Sequence, residues 1–170
     1  IQTGGKAFLF PLALAAPIAI VQLSYDSVGK SRALIAELAG SLSTAALATA
    51  IVICGSWPRP AAFALWALVA ARSAPTVLYL RARLRLLRHK PASSRIVIAV
   101  HCVAALLAVA LAWVKAAPWL GVVAMGVLLI RALVGLQSSK RTTPQRLGVA
   151  ELVFGVLTVA AISIGYRFGW

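Results

Sequence analysis

Val122-Val123-Ala124-Met125-Gly126-Val127-Leu128-Leu129-Ile130 has no charged, hydroxyl or amide side chain at any position. A strand of a membrane barrel alternates lipid-facing with lumen-facing residues over about ten positions, and this run does not alternate. Residues 45–53 read the same way, Thr49 apart. A segment apolar on every side must satisfy its backbone hydrogen bonds internally, which a helix does. Apolar sequence extends around the first run over 118–136, close to the roughly 20 helical residues that cross a hydrocarbon core of about 30 Å. Five more stretches match it: 7–23, 34–55, 60–80, 96–114 and 147–166. The expected architecture is an all-α polytopic transmembrane bundle of six spans, one helical domain over 1–170 with no room for a soluble domain.

Composition agrees. Of 170 residues 62% are apolar and 12% charged, where a soluble domain devotes about a quarter to charge, and mean hydropathy is +0.95. Disorder is excluded because apolar surface is in excess. Residues 7–23 resemble a signal-peptide core, but two prolines, no small-residue cleavage site and the spans that follow make them a true span. The first residue is Ile1, so an upstream segment is expected.

The charges are lopsided, 17 basic against 3 acidic. Connections after the first, third and fifth spans hold Lys30, Arg32, Arg81, Arg83, Arg85, Arg88, Lys90, Arg95, Lys140, Arg141 and Arg146; the other side holds Lys6, Arg59, Lys115 and Arg167. Lys and Arg in short loops are retained in the cytoplasm. Both visible ends therefore face outward, with an odd number of spans before Ile1 if the full chain starts inside. The run from Arg81 to Lys90 abuts a span and has no aromatic residue on which a base would stack, so it reads as a topology anchor and not a nucleic-acid site. Leu84, Leu86 and Leu87 extend the third helix as a basic amphipathic turn or two against anionic headgroups.

Cys54 and Cys102 fall at opposite ends of their spans, far beyond disulfide reach, and are expected as free thiols. His89 and His101 would stand about 18 Å apart on one helix, which excludes bis-histidine haem within the chain. Gly4-Gly5-Lys6 lacks the spacing of a phosphate loop and follows no strand.

Charges inside spans are costly and mark functional candidates. Glu37 lies five residues beyond Arg32, Arg72 nine before Arg81, His101 six beyond Arg95, Arg131 nine before Lys140, and Glu151 five beyond Arg146. All five fall within about 15 Å of the cytoplasmic boundary, so opposite charges reach comparable depths. Two readings stand: ion pairs that only fix helix packing, or a ligand site lining a cavity open to the cytoplasm. His101 reads as a hydrogen bond between helices or a proton carrier. Arg72 is too deep to snorkel easily and sits three before Pro75, whose ring is expected to kink the third helix. An internal echo, Arg32 to Leu38 against Arg146 to Leu152, also sets Thr44 on Thr158 and Ala46 on Ala160; duplication and chance both account for it.

Residues 25–40, from Tyr25-Asp26 through Gly29-Lys30-Ser31-Arg32 to Glu37 and Gly40, and 72–85, from Arg72-Ser73 through Pro75 and Tyr79 to Arg81, Arg83 and Arg85, resemble bacterial integral membrane proteins of the YwiC-like family. The resemblance runs over most of the chain and implies a location and an architecture, without an activity. The chain is more distantly similar to UbiA-type prenyltransferases, helical enzymes that hold a prenyl diphosphate through magnesium. That similarity implies Lys30, Arg32 and Arg72 as phosphate ligands and Asp26 as a Mg2+ ligand. Asp26 is the only aspartate in the chain, where such a site needs several carboxylates. The expected role is transport or membrane scaffolding, with lipid and further membrane subunits as partners and no cofactor. The alternative is prenyl transfer.

Overall fold

The computed structural model describes residues 6–138 and 143–169. Lys140 and Arg141, placed above in the fifth connection, and Gly4 and Gly5 lie outside the described residues. After a short 3-10 turn, Lys6–Phe8, six helices follow: α1 (Leu9–Ser27), α2 (Leu34–Cys54), α3 (Arg59–Leu87), α4 (Ser94–Trp113), α5 (Trp119–Gln137) and α6 (Pro144–Phe168). All six are long and apolar enough to cross a membrane.

Helix ends differ from the apolar limits where polar residues prolong the helix. α1 runs to Ser27, so Asp26 sits in its last turn and not in a loop. α3 runs through Pro75 to Leu87, which makes Arg81, Arg83 and Arg85 helical. Burial of backbone polar groups ends at an interface, but the helix need not, since basic side chains sustain it in water.

Helices α1 to α4 end alike. Lys30 N–H donates to Tyr25 O and Gly29 N–H to Asp26 O; Trp57 to Val52 and Ser56 to Ile53; Lys90 to Arg85 and His89 to Leu86; Ala116 to Leu111 and Lys115 to Ala112. Each is the paired Schellman closure, with one left-handed residue: Gly29, Ser56, His89 and Lys115, at φ of 69°, 62°, 55° and 57°. His89 is accounted for by this turn. α4 and α6 start on side-chain caps, Ser93 accepting from Ile96 N–H and Thr143 from Arg146 N–H. Helix α5 departs from the pattern, because its C-cap Ser138 is extended.

The chain divides into two compact units, 1–74 and 75–170. In the first, α1 packs on α2, with the Gln22 amide lying against Gly40. Thr49 Oγ1 donates to Ala62 O at 3.2 Å and Trp66 Nε1 to Leu42 O at 3.0 Å, joining α2 to the first half of α3. Phe10, Phe63 and Trp66 form an aromatic row.

In the second unit α4 packs on α5 and α5 on α6, and the second half of α3 joins them around Tyr79, Ala82, Val97, Ala132 and Leu147. The Tyr166 hydroxyl donates to Ala116 O at 3.1 Å, tying the end of α6 to the α4–α5 turn. In both units buried apolar residues are mostly alanines, among them Ala46, Ala62, Ala108 and Ala132, whereas Ile51, Leu106, Leu152 and Val159 are exposed. Small residues inside and large ones outside is the pattern of helices that approach closely in a lipid solvent.

The internal echo does not extend to environment. Thr44 is exposed and Thr158 buried; Ala46 is buried and Ala160 exposed. Equivalent positions thus meet different surroundings.

Candidate functional site

Helix periodicity sets four residues of the second unit at one depth. Arg131 lies seven residues before Ser138, Glu151 eight after Thr143, His101 eight after Ser93 and Tyr79 eight before Leu87. At about 1.5 Å per residue each is about 10–12 Å in from the same end of the unit.

Arg131 and Glu151 meet there. Arg131 Nη1 donates to Glu151 Oε2 at 2.5 Å, and each side chain is 8% exposed. The Tyr79 ring lies 4.2 Å from the guanidinium carbon and the Phe154 ring 5.3 Å, both within cation–π range. Arg131 Nε and Nη2 are buried with no hydrogen-bond acceptor among the described residues.

Gly135 makes room for Tyr79. It stands one turn beyond Arg131 on the same face of α5, and a Cβ there would overlap the Tyr79 hydroxyl and lie 2.9 Å from Cζ. Glycine in a helix interior costs up to about 1 kcal/mol relative to alanine, and here it permits the ring to slide beneath the guanidinium.

His101, also buried, meets Tyr79 edge-on with centroids 6.5 Å apart. The expected hydrogen bond between helices is instead within α4, where Nδ1 lies 2.8 Å from Val97 O. A carbonyl only accepts, so Nδ1 carries hydrogen and the neutral ring's Nε2 is an acceptor. That Nε2 is buried with no hydrogen-bond partner among the described residues.

Arg83, expected in a topology-anchoring loop, is helical and only 5% exposed. Its Nη1 donates to Ser138 O at 2.8 Å, closing a helix end that lacks a Schellman turn; a cation there also opposes the helix dipole. The sequence signal is its position one turn after Tyr79 on the face that packs inward.

The structure thus brings together Arg131, Glu151 and His101 of the expected cluster. Glu37 and Arg72 belong to the first unit, half-buried on α2 and on the first half of α3. Asp26, Lys30 and Arg32 are exposed around the end of α1. Cys54 and Cys102 are free thiols. Among the described residues no three His, Cys, Asp or Glu side chains gather where a metal would sit.

Among the described residues, the fold and site define six membrane-length helices and a buried, ring-lined ion pair. Compared with family models, curated proteins and solved structures, the chain finds no match.

Proposed function

We propose that this is a multi-pass protein of the bacterial cytoplasmic membrane whose second unit handles a polar ligand, as a transport protein does. The basic connections face the cytoplasm and both visible ends face outward, by the retention of Lys and Arg on that side. The Arg131–Glu151 centre then lies in the inner half of the bilayer, reached from the cytoplasm.

The observation that carries the reading is the single-pronged contact between Arg131 and Glu151 under two aromatic rings. Arg–carboxylate pairs built for strength use both prongs. A buried cation with two N–H groups left over suits a site that exchanges partners. The resemblance of 25–40 and 72–85 to the YwiC-like family agrees with the membrane location. Prenyl transfer has less support, since Asp26, Lys30 and Arg32 supply one exposed carboxylate and two exposed cations.

A scaffold would keep the same fold with its charged centre dry. The test is solvent access in a chain whose Cys54 and Cys102 are replaced by alanine. Phe154→Cys should react with a membrane-impermeant methanethiosulfonate applied to inside-out vesicles. An inert thiol at 154 would favour the scaffold.

A further inference from the structure

The guanidinium of Arg131 has five N–H donors in a rigid plane. The Tyr79 and Phe154 rings lie 4.2 and 5.3 Å from its central carbon, and Nη1 is engaged by Glu151. What remains is the side-on edge, Nε and Nη2, whose N–H bonds run parallel. Both nitrogens are buried with no acceptor among the described residues, on a side chain 8% exposed. A buried donor left without an acceptor costs about 1–3 kcal/mol, more when charged. This edge is the one that meets two oxygens of a carboxylate or phosphate at once.

The charge balance points the same way. Glu151 is the only acidic residue in 75–170, yet two buried guanidiniums, Arg83 and Arg131, stand in the unit's interior. The carbonyl end of α5 offsets Arg83 by about half a charge. The interior keeps a positive excess that one bound anion would remove. A buried cation in low dielectric attracts an anion more strongly than it would in water.

We propose that the second unit binds a small oxyanion, a carboxylate or phosphate group, on the Nε–Nη2 edge of Arg131. This rests on the ligand-handling reading above and names its ligand class. Glu151 is the competing internal carboxylate: it holds one prong while the ligand takes the two others, and it limits affinity. Two sources share this chemistry, a soluble anion and the phosphodiester of an anionic lipid.

Thermal unfolding of the detergent-solubilised chain, titrated at constant ionic strength with sodium acetate, sodium phosphate or sodium chloride, tests it, because a ligand that binds only the folded state raises Tm with its concentration over Kd. Acetate or phosphate should raise Tm saturably, and chloride should not. A rise seen only in mixed micelles containing phosphatidylglycerol supports the site with lipid as the source. Arg131→Lys keeps the charge and loses the fork, so apparent Kd should increase about tenfold or more. Glu151→Gln removes the competitor and should lower Kd by about tenfold. No saturable rise with any oxyanion, or an unchanged Kd in Arg131→Lys, overturns the proposal. Oxyanion binding together with an inert Phe154→Cys thiol would leave this site standing and defeat transport; a reactive thiol without binding would do the reverse.

Discussion

Glu151 meets Arg131 with one oxygen on one nitrogen, at 2.5 Å, between helices that run in opposite directions through the second unit. Two residues at matched depths on neighbouring antiparallel helices share a layer whatever the helices' lengths. Tyr79, from a third helix, closes one face of the guanidinium, and Gly135 is what lets it approach.

Gly135→Ala should therefore destabilise the protein by about 1–3 kcal/mol, the usual range for overpacking, and Tyr79→Phe should restore part of the loss by removing the nearest atom. Gly40→Ala meets only the end of the flexible Gln22 side chain, so it should cost less than about 1 kcal/mol. Chemical denaturation in mixed micelles compares the three variants; equal costs at 135 and 40 would contradict the packing described.

Arg83→Gln removes the donor that closes α5. Loss of a buried charged hydrogen bond is worth about 1.5–3 kcal/mol, and most of it should be local. Hydrogen exchange at 134–138 should accelerate at least about tenfold, with little change at 119–125. Uniform acceleration along α5 would mean that Arg83 acts on the whole unit.

Orientation is open to labelling, because Cys54 is exposed at the end of α2. An impermeant maleimide added to intact spheroplasts should label Cys54, and should label Ser93→Cys, in the α3–α4 connection, only after permeabilisation. The opposite pattern would invert the topology.

The helices were legible from the sequence because length and unbroken apolarity define a span, and residues 118–136 differ from the observed α5 by a residue at each end. The ends of α1 and α3 were not, since Ser24–Ser27 and Arg81–Leu87 are polar or basic yet still helical. Counting from the loop charges set five residues at comparable depth without saying which would pair, and two of them, Arg131 and Glu151, meet; depth on a helix is a linear function of sequence. Direction around the helix axis is harder to read. The contacts of Tyr79, Phe154 and Arg83 are not visible to such counting, because their roles depend on which face of a helix meets a neighbour. Thr44 and Thr158, and Ala46 and Ala160, differ in burial for the same reason: similar letters meet different surroundings.

Arg131 and Glu151 act energetically as one unit buried between α5 and α6. A double-mutant cycle of Arg131→Met and Glu151→Leu, read by unfolding free energy in mixed micelles, measures it most directly. Each single change should cost about 3–5 kcal/mol, because it strands a buried charge, and the double change should recover most of that, giving a coupling above about 1 kcal/mol. Single costs that add to within about 0.5 kcal/mol in the double variant would show two independent side chains and contradict the account.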